Sequence, residues 1–346
     1  MPEPTSQLDF LAELARYRAL IAPALQAALP QREPRKHLYG LLDEHMQRSG
    51  KGLRPALCLA TCTAFGGDER QALQPAAALE LLHNAFLIHD DIEDGSEFRR
   101  DQPTMYLQHG VPLAINAGDA LQALSLQLVR RSSLELGPRT TWRLSAEFDH
   151  MLLESLEGQA LELGWIRDNR CDVAEQDYLE MTLKKTCWYS FIHPCRIGAL
   201  IAQPDLTQLE RFDRFGFLAG AAFQIQDDVL NLVGEQHSYG KEIGGDLWEG
   251  KRTLILAHLV KQLDARDRQR MESILSKPRS ARLPREVAWL STQIVRHGSL
   301  EYARAVAEQF ASAASAEFER AFAEAPENAA KLFLRAFVNY LVARQV

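Results

Sequence analysis

Leu81-Leu-His-Asn-Ala-Phe-Leu-Ile-His-Asp-Asp-Ile-Glu-Asp94 decides the fold, because it reads as one apolar helix ending in stacked carboxylates. At about 100° per residue, His83, Phe86, Leu87, Asp90, Asp91 and Asp94 share one broad face. Burying such acids unpaired is costly through desolvation and like-charge repulsion. Something cationic must satisfy them, and Mg²⁺ suits best: it takes oxygen ligands, keeps waters and bridges carboxylates to phosphate. Phe223-Gln-Ile-Gln-Asp-Asp-Val-Leu-Asn231 repeats the design, with Gln224, Asp227, Asp228 and Asn231 at i, i+3, i+4 and i+7. A solvated acidic face is the bland alternative for either run. It weakens because both clusters follow continuous apolar stretches, which surface helices do not usually carry.

Outward from these two helices the pattern stays helical. Apolar residues at helical spacing predict helices over 7–30, 36–48, 53–65, 74–94, 112–136, 139–162, 173–190, 207–233, 251–274, 284–296, 298–324 and 327–345. Asp172-Val-Ala-Glu175 reads as a capping box, and Pro75, Pro112 and Pro326 as residues near helix starts. Gly66-Gly67 ends one helix, and Gly137-Pro138 separates two others. Two loops stand out: the Gly-rich Gly234–Asp246, a candidate lid, and Ser276–Pro284, read as a basic surface connection. With no repeat and no linker, the expectation is an all-α chain forming one domain over 1–346. Its motifs lie within about 50–253, and a helical part follows over 254–346.

Composition narrows the function. The 346 residues are 46% hydrophobic and 25% charged, which is ordinary for a globular protein. A formal net charge of −7 argues against a nucleic-acid binder. No 18-residue apolar run is present, so no membrane span is expected. The N-terminus has no signal-peptide pattern. The five cysteines (Cys58, Cys62, Cys171, Cys187, Cys195) contain no CxxC pair, which fits a reducing cytoplasm better than disulfides or zinc. Cys58 and Cys62, one turn apart, read as core; His89 reads as helix packing, and His193-Pro194 as structural.

Carboxylate-held magnesium implies an anionic ligand, and basic residues flank both clusters. Arg99 and Arg100 follow Asp94. Lys241 and Lys251 follow the second cluster. Upstream, Gly50-Lys-Gly-Leu-Arg-Pro55 sets Lys51 and Arg54 beside glycines that let a phosphate approach the backbone. Arg offers a planar fork to phosphate and Lys a point charge.

These motifs, in this order, resemble the trans-isoprenyl diphosphate synthases, or polyprenyl synthetases: Gly50–Pro55, Asp90–Asp94 with Arg99-Arg100, Lys185-Thr186, Gln224 with Asp227-Asp228, and Gly240–Thr253. The resemblance implies a helical bundle around a central cavity, with the acidic helices facing each other across its mouth, and a homodimer. It implies that isopentenyl diphosphate is held by Lys51, Arg54, His83 and Arg100. Asp90, Asp94 and Asp227 would ligate Mg²⁺, three ions per site with Mn²⁺ able to substitute, while Asp91, Asp228 and Asn231 brace them. Arg99, Lys185, Lys241 and Lys251 would grip the allylic diphosphate, with Lys185, Thr186 and Gln224 in the catalytic group. Phe86 would floor the cavity, with Ala85 leaving room beside it and Leu82 further down, and limit the product to C20, or C15.

The sequence departs from the family at four places. Asn231 replaces a third Asp, Asp101 stands where Gly is common, Glu162 replaces a common Asp, and Trp188-Tyr189 replace smaller residues, which is expected to narrow the cavity. A class I terpene cyclase also uses two acidic helices but needs no second diphosphate site, so Lys51, Arg54 and Arg100 weigh against it. A non-catalytic synthase subunit would have lost acidic residues, and a metal phosphohydrolase built on His89-Asp90 leaves the second cluster unexplained.

Overall fold

A computed structural model describes residues 9–48, 50–234 and 244–343. Helix dominates it: α1 (Phe10–Ala28), α2 (Gly40–Gln47), α3 (Leu53–Ala64), α4 (Glu69–Asp94), α5 (Met105–His109), α6 (Val111–Arg131), α7 (Ser133–Arg167), α8 (Glu175–Thr182), α9 (His193–Ala202), α10 (Arg211–Val233), α11 (Gly245–Glu249), α12 (Leu254–Gln262), α13 (Ala265–Leu275), α14 (Pro284–Arg296), α15 (Ser299–Ala321) and α16 (Ala329–Ala343). The sheet among the described residues is one hairpin, β1 (Phe98–Arg99) with β2 (Gln102–Pro103). No helix among them is long and apolar enough to cross a membrane, and all five cysteines are free.

The all-α expectation holds, with local corrections. α4 starts at Glu69, where the Asp68 side chain accepts the Arg70 N–H at 2.9 Å, so Pro75 lies inside the helix. Asp172 caps nothing: α8 starts at Glu175, and the Ala174 N–H is satisfied by Asp177 Oδ2 at 3.1 Å. The segment 251–274 is two helices, because Asp264 caps a new one by accepting the Asp267 N–H at 2.8 Å. Residues Leu183–Ile192 form a π-helix rather than the end of an α-helix. Such turns recur at functional sites. Gly137, at φ 75° and ψ 165°, breaks α7 as expected.

α4 packs along α6, and α10 along α15. The core has two apolar clusters, and α10 joins them: Phe212, Phe215 and Ala219 belong to one, Ile225 and Val229 to the other. α7 crosses the π-helix at Gly158, where a Cβ would lie 2.3 Å from the Lys185 backbone nitrogen. Only glycine permits that approach, and it brings Lys185 to the cavity.

Ser276–Pro284 is not merely a basic surface connection. Arg282 is buried and donates to the carbonyls of Trp248, Leu247 (3.3 Å), Ile274 (3.3 Å) and Leu275 (2.9 Å). Helix C-terminal carbonyls carry partial negative charge, so they stabilise a guanidinium without a carboxylate. Gly250, at φ 76°, leaves the room: a Cβ there would meet Arg282 Nη2 at 2.4 Å. The clamp holds the turn that leads into Lys251. A buried acceptor left unsatisfied costs about 1–3 kcal/mol, so Arg282→Ala should lose about 2 kcal/mol net of the relieved charge burial. Urea denaturation measures this, and an unchanged midpoint would show the carbonyls finding other donors.

Candidate active site

The two acidic helices meet at one cavity of about 510 Å³. Lys51, Arg54, His83, Phe86, Asp90, Arg99, Arg100, Lys185, Thr186, Gln224, Asp227 and Lys251 all line it. These twelve come from α3 and the loop before it, α4, the hairpin, the π-helix, α10 and the turn after α11. Lys241 lies outside the described residues, as does most of the candidate lid.

The first cluster sits at the C-terminus of α4, which Gly95 ends at φ 67°. Carboxylates at the negative end of a helix dipole are disfavoured, so cations must converge there. Arg99 is turned back by the two-residue hairpin turn Arg100-Asp101, whose φ values are 54° and 59°. Asp tolerates this left-handed region better than most residues, which is why it can stand in for Gly. Arg99 Nε donates to Asp91 Oδ1 at 2.8 Å and Nη2 to Asp90 Oδ2 at 3.2 Å. Lys185 Nζ reaches Asp90 Oδ1 at 3.3 Å and is paired with Glu162. Lys251 Nζ lies 2.6 Å from Asp94 Oδ2 and 3.1 Å from Glu249. Burial first, then the Asp90 charge, pushes Asp94 up to about 7, against the pull of Lys251.

In the second cluster, Asp228 Oδ2 accepts the Tyr178 hydroxyl at 2.7 Å and Oδ1 accepts Gln224 Nε2 at 2.9 Å. Burial still pushes Asp228 up to about 7. The Thr186 hydroxyl donates to Gln224 Oε1 at 2.9 Å, which fixes the amide orientation. Asn231 lies away from the cavity. Its Oδ1 accepts the Asp246 N–H at 3.1 Å, tying α10 to α11.

Does a divalent cation fit? Asp94 Oδ1 is buried with no hydrogen-bond partner among the described residues, and the donors offered are carboxylate oxygens. Among those residues no three His, Cys, Asp or Glu side chains form a ready-made metal cage. Mg²⁺ keeps several waters and binds through one or two carboxylates plus substrate phosphates, so this donor set suits it.

At the basic end, Arg54 Nη2 donates to the Tyr189 hydroxyl at 2.7 Å and to Ser190 Oγ at 2.8 Å. Arg100 donates to the Arg48 carbonyl and lies 3.4 Å from Asn84 Oδ1. His83 is half-buried, and desolvation with the nearby Arg54 and Arg100 holds its pKa well below the usual range, so it meets a ligand as a neutral ring. Among the charged lining residues, Arg18 and Glu80 escaped the sequence reading. Glu80 had a signal, three residues before His83 on the same helix face. Ala85 and Leu82 are fully buried and line no part of the cavity, which corrects the expected floor. Ala85 is rotated about 100° from Phe86, into the core. Phe86 instead meets Tyr189 edge-on, with ring centroids 5.4 Å apart at 90°.

The polyprenyl synthetase family model matches residues 35–289. The chain belongs to the polyprenyl synthetase family. A short chain isoprenyl diphosphate synthase of Methanothermobacter thermautotrophicus is 36% identical over 266 residues, 76% of this chain and 78% of that protein. The geranylgeranyl pyrophosphate synthetase of Pyrococcus horikoshii superposes with a TM-score of 0.85 at 31% identity, covering 97% of this chain and 99% of that one. The polyprenyl synthase of Caulobacter crescentus, complexed with calcium and isoprenyl diphosphate, gives 0.82 at 27% identity, covering all of both chains. In this polyprenyl synthetase the unusual Trp188 and Tyr189 part company. Tyr189 enters the cavity, whereas Trp188 packs on His150 and His193 with centroids 4.6 and 5.2 Å away.

Proposed function

We propose that the protein condenses isopentenyl diphosphate with an allylic diphosphate, releasing diphosphate and giving a trans-prenyl diphosphate of C20 length, with C15 the second choice. The observation that carries this reading is a single cavity with an acidic mouth, basic groups on two sides of it and an aromatic wall. Lys51, Arg54, Arg100 and neutral His83 suit one diphosphate; Arg99, Lys185 and Lys251, with Lys241, suit the other. Asp90, Asp94 and Asp227 would hold the divalent cations, three Mg²⁺ by the family pattern, with Asp91 and Asp228 bracing them. Bound there, Mg²⁺ supplies Lewis-acid charge that makes diphosphate a leaving group. Lys185 and Lys251, which neutralise Asp90 and Asp94 without ligand, are placed to turn toward incoming phosphate oxygens. The Gln224 amide and Thr186 hydroxyl present fixed dipoles to the positive charge that develops on the allylic carbons. The apolar walls shield that charge from water.

A cyclase reading leaves Lys51, Arg54 and Arg100 without a task. Exposed Trp142, Leu153 and Leu156 on α7 support a homodimer in which a second copy covers that helix. The five free thiols suit the cytoplasm.

Labelled isopentenyl diphosphate, incubated with C5, C10 and C15 allylic primers, tests the reading directly. Extended products should form with Mg²⁺ or Mn²⁺ and vanish with chelator. No extension of any primer would overturn it.

A further inference from the structure

The basic end of the cavity is short of charge, and the first helix makes up the shortfall. Lys51, Arg54 and Arg100 bring three positive charges to that end. Glu80, buried on α4 beside Arg54 and Arg100, cancels one of them when ionised. His83, held neutral, adds none. The balance is about two, against a diphosphate monoester carrying about three negative charges near neutral pH.

Arg18 lines the same cavity. α1 is fixed by buried Leu14, Tyr17 and Ile21, with Tyr17 packed on Phe333 at a centroid distance of 5.0 Å, so its exposed side delivers Arg18 to the loop before α3. The aliphatic stem lies over Gly52, where a Cβ would meet Arg18 Cβ and Cγ at 3.6 Å. Its Nη1 donates to the Gly50 carbonyl at a long 3.4 Å. That long bond to a neutral acceptor is readily exchanged for a shorter ion pair with phosphate.

We propose that Arg18 is a fourth cation of the isopentenyl diphosphate site, binding the diphosphate directly alongside Lys51 and Arg54. The inference rests on the condensation reading above. It adds a residue from outside the 35–289 stretch that matches the family. The competing view is that Arg18 only staples α1 to the glycine loop.

Calorimetric titration of isopentenyl diphosphate into metal-free protein separates the two, alongside KM values for both substrates. Arg18→Ala should weaken isopentenyl diphosphate about tenfold, the size expected for one hydrogen bond to a charged group, and leave the allylic KM within about twofold. Arg18→Lys should recover most of the affinity. Arg18→Gln, a donor without charge, should resemble Ala. Arg18→Ala with Glu80→Gln restores the charge balance and should recover part of the loss. Wild-type affinity in Arg18→Ala, an equal loss for both substrates, or rescue by Gln would overturn the assignment in favour of the staple. Wild-type protein that binds no isopentenyl diphosphate would instead overturn the condensation reading, and Arg18 with it.

Discussion

Asp90→Ala and Asp227→Ala should each lower kcat by about 1,000-fold, the loss of several kcal/mol of transition-state charge stabilisation, while leaving folding stability nearly unchanged. The asymmetry follows from the contacts. Removing the Asp90 carboxylate leaves Arg99 with Asp91 and Lys185 with Glu162, so neither cation is stranded. It also removes a like charge from Asp94, which burial and Asp90 together hold at a raised pKa. The metal-free protein therefore gains from lost repulsion roughly what it loses in pairing. Asp227 stands on the cavity wall opposite, so its loss should likewise act on chemistry first. Thermal unfolding with and without Mg²⁺ plus inorganic diphosphate checks the second half. Both variants should match the wild type without ligand and gain less from the ligand. A variant that unfolds early, yet turns over normally in its folded fraction, would make these acids structural.

The sequence showed the helices and the residues that converge because both follow from one periodicity. Asp90, Asp227, Lys185, Gln224 and the Lys51 loop all line the cavity, since each is an exception to its element's apolar pattern. What escaped depends on neighbours distant in sequence. Arg282 sits in a Pro- and Ser-containing loop that reads as solvated, but the carbonyls that bury it belong to helices ending at Glu249 and Leu275. The π-helix at Leu183–Ile192 has no distinct apolar period over ten residues, so it could not be read that Tyr189 and not Trp188 enters the cavity. Arg18 is an ordinary exposed arginine of α1 until α1 docks. Ala85 was legible and was misread, because it lies about 100° from Phe86 on the side of α4 that packs into the core, whereas Leu87 on the other side lines the cavity.

Phe86→Ala should lengthen the product by about one C5 unit, because an isoprene unit and a helical turn are both about 5 Å long. Phe86 lies one turn before Asp90 and lines the cavity, so a chain growing away from the metal-binding carboxylates meets its ring. Leu82, one further turn down, is fully buried and outside the cavity. Removing the Phe86 ring would expose it as the next barrier, which limits the gain to about one unit rather than several. The wall has a second half. Tyr189 closes edge-on against Phe86, and its hydroxyl accepts from Arg54, so it couples the end wall to the isopentenyl diphosphate site. Tyr189→Phe keeps the ring and loses that acceptor. It should leave product length unchanged and raise the KM for isopentenyl diphosphate. Losing the edge-to-face pair costs about 1 kcal/mol, small enough for Phe86→Ala to stay folded. Chromatography of dephosphorylated products decides the matter. An active Phe86→Ala enzyme with the wild-type distribution would show that the ring only packs against Tyr189 and sets no limit on the chain.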